Sequence, residues 1–403
     1  MKNIAYAGSF DIFTNGHLWV VKAGLEIAEH VTIFVADNTS KKYLFSKEHR
    51  IKIIENIIQD EGLKDRVRVI GSTDEYVAMR ISEYYITHMI RGIRNSVDFD
   101  QEKLIQRANY SMFGGVQTIF VMPPSELESV SSSFVKALIG PAYWTTYVQN
   151  LIPQASLISL IKKRIVDIMI EVFSEHNILD KNTICILKSD YLNDTSDNAL
   201  MNFILFVFSC YSSNKRYYHN LTHILNMMEQ SQRECKNNVA LIVAIFLHDI
   251  IQKDNHSYNI NEYSKYGISS IDWNDCSYEK QSALFVTYFS KVANLNPNFV
   301  KEIDNLIKTT EHFSKQNKDK LTLEQNYILK IDFDILGSPK NIYNEYAQNI
   351  RKEYQEYNDI DYNNGRKEVL KSLMNTIEKA SYFSEIFKTN ACKNILNEMS
   401  NLT

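Results

Sequence analysis

The sequence predicts an α/β unit built on a parallel sheet, followed by an all-α unit. Three observations support that expectation. Up to about residue 155, short apolar runs of strand type alternate with helical patterns, and this alternation implies parallel strands joined by crossover helices. Beyond about residue 157 the strand signals fade, and apolar residues recur at intervals of three and four. A chain of 403 residues is also too long for one ordinary core. The boundary is expected near Pro153 to Ser159, giving units 1–157 and 158–403. Only 6 prolines and 12 glycines occur in the chain, which argues against a long flexible linker.

The first strand is expected at Ile4-Ala5-Tyr6-Ala7, with a helical pattern beginning at Leu18. Runs at 31–36, 67–70, 88–91 and 118–122 read as further short buried strands. Helical patterns around 46–60, 75–85 and 98–110 separate them. In the second unit Leu160, Ile161, Ile165, Ile168, Met169 and Val172 repeat with helical spacing. Similar patterns cover 197–211, 221–232, 238–251, 279–293, 298–311, 323–335, 340–357 and 366–400.

Composition narrows the function classes. A net charge of −4 gives no reason to expect a nucleic-acid partner. No apolar run approaches the roughly 20 residues of a membrane span, and the N-terminus enters a strand with no signal-peptide pattern. The 5 cysteines are scattered and without a CxxC pair, so neither a disulfide framework nor a zinc–thiolate site is expected. A reducing cytoplasm is the expected setting.

Residues 8 to 17 are the most informative stretch: Gly8-Ser9-Phe10-Asp11-Ile12-Phe13-Thr14-Asn15-Gly16-His17. They join a strand to a helix through a glycine-bearing turn. Free N–H groups at a helix start attract phosphate, and a histidine fixed there can donate to charge that develops on phosphoryl oxygens. Taken alone, the Gly16-His17 pair reads rather as an ordinary βα turn with a capping histidine. Suitable groups also follow later strands. Ser40-Lys41-Lys42 comes after the second strand, and Arg91-Gly92-Ile93-Arg94 after the fourth, with Asp98 to Glu102 opening the next helix. Ser131-Ser132-Ser133-Phe134-Val135-Lys136 opens a helix after the fifth. Singly, the lysines read as a solvated loop, the arginines as surface charge and the serines as a helix cap.

Together these segments resemble the nucleotidylyltransferase superfamily, in particular bacterial phosphopantetheine adenylyltransferases, over roughly residues 3–153. The family signature (S/T)-F-D-P-x-T-x-G-H is matched at Ser9 to His17, with Ile12 in the place of proline, which should loosen the turn. The S-K-K, R-G-x-R and S-S-S-x-V-K segments follow in family order. The resemblance implies a Rossmann-like fold and adenylyl transfer from ATP, with Mg2+, to 4′-phosphopantetheine, giving dephospho-coenzyme A and pyrophosphate. It implies that Ser9 and Phe10 present donors to phosphate, that His17 stabilises the transition state, and that Lys41 bridges the two reacting phosphates. Arg91 would hold phosphopantetheine, and Gly92 and Arg94 would line the ATP site. Glu102 would support the adenosine end, and Ser131, Ser132 and Ser133 would bind ATP phosphates. Gln101, Glu75-Tyr76 and Leu127 depart from the family pattern near the adenine and the pantetheine arm. The family's usual assembly is a hexamer, so a homo-oligomer is expected.

The second unit carries its own constellation. Tyr218-His219-Asn220-Leu221-Thr222-His223 is expected at a helix start, with His219 and His223 at i and i+4 on one face. His248-Asp249 ends a wholly apolar helix, where a charged group needs a partner. Asp332 and Asp334 lie in an otherwise apolar stretch. Imidazoles and carboxylates together suit a divalent ion such as Mn, Fe or Zn, which can make water a nucleophile for a phosphate ester.

Histidine, His-Asp and a later aspartate on successive helices resemble the HD superfamily of metal-dependent phosphohydrolases. An uncharacterised branch of it shares Arg216 to Asn220, Asn261 to Ser264, Thr310 to His312, Asp332 to Gly337 and Ile350 to Tyr354. The resemblance implies His223, His248, Asp249 and Asp332 as metal ligands, with Asp334 as the substitute for Asp332. His219, Glu262 and His312 would face the phosphate or support the ligands. Two alternatives stay open in the sequence: a helical unit that regulates without turnover, and a first unit that adenylylates a different phosphate.

Overall fold

The computed structural model describes residues 2–38, 41–72, 77–112, 116–234, 238–253, 263–268, 277–311 and 321–402. It divides into two compact units, Met1–Leu160 and Ile161–Thr403.

The N-terminal unit is built on five parallel strands: β1 (Asn3–Gly8), β2 (His30–Val35), β3 (Val67–Gly71), β4 (His88–Gly92) and β5 (Gln117–Val121). Their order is β3-β2-β1-β4-β5, with β1 in register with β2 from Asn3↔His30 to Gly8↔Val35. Helices α1 (Asn15–Ile27), α2 (Lys47–Asp60), α3 (Val77–Glu83) and α4 (Ser96–Met112) connect them, and α5 (Ser132–Leu138) and α6 (Trp144–Val148) follow. The central strands β1 and β2 read as near-continuous apolar runs because they are covered on both faces. Ala5, Ala7 and Phe34 pack with Ile81, Ile86, Met89 and Val116. A parallel five-stranded sheet flanked by helices fits a Rossmann-like nucleotidyltransferase domain.

The helix α7 (Gln154–Glu175) contains the division between the units. The C-terminal unit continues with α8 (Lys181–Asp190), α9 (Ala199–Tyr211), α10 (Leu221–Arg233), α11 (Val239–Leu247), α12 (Tyr278–Ala283), α13 (Phe285–Val292), α14 (Pro297–Thr309), α15 (Leu323–Asp332), α16 (Lys340–Glu353), α17 (Asp359–Lys379) and α18 (Glu385–Asn401). Every residue of α11 is buried, and removing each Val, Leu, Ile or Phe from water favours folding by ~1.5–3 kcal/mol. A second core gathers Phe333, Leu336, Tyr343, Leu370, Ile377 and Ile395.

Several expected helices end or break differently. The pattern at 238–251 stops earlier than expected: the helix ends at Leu247, with His248 as its C-cap donating to Ala244 O. The 279–293 pattern is interrupted at Leu284, and 323–335 gives way after Asp332 to a 3-10 turn, Asp334–Gly337. The 340–357 pattern ends at Glu353. The stretch 366–400 is two helices, because Ala380 is extended (φ −73, ψ 125) and Ser384 starts a new N-cap on Phe387 N. Helix α8 was not among the expected helices. Among the described residues, no helix is long and apolar enough to cross a membrane.

Candidate functional site

The strand order reverses between β1 and β4, the place where parallel sheets open a crevice at their carboxyl ends. β1 ends at Gly8 and β4 at Gly92, and both glycines line a cavity of about 450 Å³. A side chain at Gly8 would begin 2.9 Å from the ring carbons of Phe10. Glycine is therefore needed for Phe10, at φ 51, to fold back over the strand end. The Asp11–Ile12 peptide is cis. Ile12 is buried, and its carbonyl accepts a bond from Ser132 Oγ at 2.7 Å.

The turn then enters α1 through a reciprocal cap. Thr14 Oγ1 accepts from His17 N at 3.3 Å, and Thr14 N donates to His17 Nδ1 at 3.0 Å. His17 is thus a capping residue and a cavity-lining residue at once. An amide N–H only donates, so Nδ1 carries the lone pair and the neutral ring keeps its proton on Nε2. Burial, with the nearby charge of Arg94, lowers the imidazole to about 4. The ring is therefore a neutral N–H donor at physiological pH.

The same cavity is lined by Ser9, Phe10, His17, Lys41, Arg91, Gly92, Arg94, Glu102, Ser131, Ser132 and Ser133. All the residues that the sequence assigned to this site therefore lie around one space. Several are already engaged. Arg91 Nη1 donates to Ala7 O at 2.6 Å and its Nε lies 3.1 Å from Glu102. Arg94 makes a fork on Asp98, at 2.8 and 3.3 Å. Glu102 thus sets the position of Arg91. Ser131 caps α5 by accepting from Phe134 N. Lys41 and Lys42 are exposed, and Lys136 reaches the cavity beside Asp11. Gln101 is exposed and Leu127 lines the cavity. Ser40, Glu75 and Tyr76 lie outside the described residues. Thr14, the threonine of the signature, also lines the cavity, as do Tyr6 and Tyr43, which the family-like segments did not single out.

In the C-terminal unit, His223 lies in the first turn of α10, His248 and Asp249 follow α11, and Asp332 ends α15. His223 Nε2 is 3.3 Å from Asp332 Oδ1 and 3.7 Å from Asp249 Oδ2. His248 Nε2 is 3.1 Å from Asp249 Oδ2 and 3.9 Å from Asp332 Oδ1. Ligand atoms of His223, His248 and Asp332 all lie within 4.8 Å of one another, and Asp249 faces both imidazoles. It is Asp332 and not Asp334 that joins this cluster.

Both imidazole Nε2 atoms are buried and face the carboxylates without a well-aligned hydrogen bond among the described residues. His248 Nδ1 sits 2.9 Å from Ile245 O, and a carbonyl only accepts, so Nδ1 carries a proton. Burial opposes a second one, but the Asp249 and Asp332 carboxylates raise the ring to about 9, and Nε2 presents a lone pair once that proton is displaced. Gln252 Nε2 donates to Asp249 Oδ1 at 2.8 Å, which leaves Oδ2 towards the histidines. Burial opposes ionisation of Asp249, but the adjoining histidines hold its carboxyl well below the usual range. Buried Arg216 donates to the carbonyls of Asp249 and Ile250 at 2.7 and 2.9 Å, fixing the turn.

His219 does not share a helical face with His223, because α10 begins only at Leu221. Instead Glu353, at the end of α16, accepts from Tyr218 N and His219 N at 2.7 and 2.9 Å and meets His219 Nδ1 at 2.6 Å. Burial alone would lower the imidazole, but the Glu353 carboxylate raises it to about 9. His219, His248, Asp249 and Asp332 line a cavity of about 630 Å³ whose wall includes Tyr278, Tyr346, Tyr354, Tyr357 and Tyr362. Glu262 and His312 lie outside the described residues.

The family model for cytidylyltransferase-like proteins matches residues 5–138. A phosphopantetheine adenylyltransferase of Chromobacterium violaceum is 30% identical over 154 residues, which span 38% of this chain and 92% of that protein. One of Streptococcus equi subsp. zooepidemicus is 31% identical over 150 residues, 37% of this chain and 87% of that protein. Among solved structures, Enterococcus italicus Csm6 bound to cyclic hexa-2'-fluoro-hexa-dAMP covers 88% of this chain and 99% of its own, at 11% identity and a TM-score of 0.21. At that score the likeness carries no argument about fold or chemistry.

Proposed function

The chain belongs, through its N-terminal unit, to the phosphopantetheine adenylyltransferase family, and from that premise we propose that it transfers the adenylyl group of ATP to 4′-phosphopantetheine. The acceptor's phosphate oxygen forms a bond to the α-phosphorus, the bond to the β-phosphate oxygen breaks, and pyrophosphate leaves. No covalent enzyme intermediate is needed, so positioning and electrostatics supply the catalysis. His17 donates its Nε2–H to phosphoryl oxygens as their charge rises. Lys41 bridges the two reacting phosphates, and Arg91, aligned by Glu102, holds the acceptor. Gly92 and Arg94 line the ATP site, with Ser9, Phe10 and Ser131 to Ser133 donating to phosphates. The ATP substrate carries Mg2+.

The observation that carries this reading is a neutral, correctly tautomerised imidazole among Lys41, Arg91 and Arg94 at the switch point of the sheet. Pyrophosphate release by the purified chain should require both ATP and 4′-phosphopantetheine. Release with a nucleotide acceptor in its place would contradict the acceptor assignment. Val97 and Leu104 on α4, 63% and 66% exposed, support a homo-oligomer, which sedimentation of the full chain tests.

For the C-terminal unit we propose a metal-dependent phosphohydrolase of the HD type. Two orphaned imidazole nitrogens facing two carboxylates suit a divalent transition ion (Mn, Fe or Zn), held by His223, His248, Asp249 and Asp332. Such an ion, when bound, makes water nucleophilic at neutral pH. His219, anchored through Nδ1 by Glu353, keeps a proton on Nε2 for the leaving oxygen of a phosphate ester.

A further inference from the structure

The segment that carries Lys41 and Lys42 is gripped by two residues to which no part of the chemistry above falls. Asp11 sits in the motif turn, yet its side chain is only 1% exposed. Oδ2 accepts from Leu44 N at 2.9 Å and Oδ1 from Phe45 N at 3.0 Å. The Lys136 ammonium, from α5, pairs with the same carboxylate. Arg50, on α2, has a side chain that is also 1% exposed. Its Nη1 donates to Ser9 O at 2.7 Å and to Ala36 O at 3.2 Å, and its Nη2 pairs with Asp37. The Tyr43 ring lies on the guanidinium, 4.3 Å from ring centroid to Cζ.

Residues 43–45 are therefore held from both sides. Asp11 takes the backbone of 44 and 45, Arg50 takes the ring of Tyr43, and both also belong to or bind the Ser9–Asp11 turn. A buried carboxylate satisfied by two amides and an ammonium is rigid in a way that a solvated surface loop is not. The two exposed lysines directly precede this clasp. Long cationic side chains on an unanchored loop would have to be ordered on every turnover, and a misplacement of about 1 Å costs roughly 10²-fold in rate.

We infer that Asp11 and Arg50 are positioning residues for adenylyl transfer: they clasp residues 43–45 against the motif turn and so hold Lys41 over the reacting phosphates before ATP arrives. The inference rests on the adenylyltransferase reading of this cavity. Asp11→Asn keeps the shape of the side chain but gives up one acceptor and the charge opposite Lys136. In the full chain, kcat should fall by roughly 10²-fold, while KM for ATP changes by less than about threefold. In a Lys41→Ala background the same substitution should cost less than about twofold, since the group it positions is gone. Equal losses in the two backgrounds would overturn the inference.

A second measurement needs no substrate. Limited trypsin digestion of the full chain, read by mass spectrometry, follows cleavage after Lys41 and Lys42. Relative to other sites, Asp11→Asn should be cut there about tenfold faster, because local opening sets the rate. Equal cutting of variant and wild type overturns the clasp. Tyr43→Leu, which removes the ring from Arg50, is read in the same way if Asp11→Asn does not fold. Wild-type protein that releases no pyrophosphate refutes the adenylyltransferase reading, and the cleavage ratio then decides the clasp by itself.

Discussion

At the scale of single residues, His17 caps α1 and lines the cavity, and in the proposed function it also serves phosphate chemistry. Its Nδ1 is committed to Thr14 N, which leaves one tautomer with a donor aimed at the cavity. Replacing His17 with Ala should lower kcat by about 10²–10³-fold, the usual loss for one preorganised donor to a developing oxyanion, measured as pyrophosphate release at saturating ATP. The ring is lowered to about 4, so it should contribute no inflection to the pH profile of kcat above about pH 5. The same shift acts on stability. The unfolded ring takes up a proton near pH 6.5, and the folded ring resists until about 4. The folded state therefore loses stability as pH falls through that window, with no further loss from this group below it. Urea midpoints at pH 7 and pH 5 should fall further apart for wild type than for His17→Ala.

At the scale of elements, helix α11 and the α17–α18 pair show how local chemistry sets boundaries. Asn238 Oδ1 accepts from Leu241 N at 2.6 Å and starts α11, so Asn238→Ala should cost about 1 kcal/mol of stability in urea unfolding. Arg366 and Glu398, 6% and 8% exposed and 2.7 Å apart, join α17 to α18. Arg366→Ala leaves the buried Glu398 carboxylate, among the described residues, with no cation and only the Tyr343 hydroxyl, 2.6 Å away, as a donor, and the cost should be about 3–5 kcal/mol. The five strands were legible as short apolar runs, such as Ile4 to Ala7 and Ile33 to Val35, set between helical patterns. The break at Ala380 to Ser384 was not, since the apolar period continues across it and only Ser384 marks a new cap. Helix α8 escaped because its one buried residue is Leu187. The tie between Glu353 and His219 spans 134 residues, and no local pattern links such partners. Asp11 was legible as part of a signature but not as a clasp, because its partners sit on two other segments.

At the scale of the whole molecule, the chain divides into two units, and the proposed function gives each its own chemistry. The N-terminal motifs were readable because a parallel sheet brings the ends of distant strands to one crevice, so residues far apart in sequence converge at predictable positions. The helical unit has no such rule; its cluster was visible only as His223, His248-Asp249 and Asp332 recurring in that order along the chain, on α10, after α11 and on α15. Purified full chain should retain about one transition ion per molecule, and His248→Ala should lose it, as metal analysis by mass spectrometry would show. Retention at the wild-type level would contradict the four-residue site. The most direct measurement for the molecule as a whole is a crystal structure of the chain with a non-hydrolysable ATP analogue. The α-phosphate should lie within about 3 Å of His17 Nε2, with Lys41 and Arg94 against the phosphate chain. A nucleotide bound away from these three side chains would contradict the account.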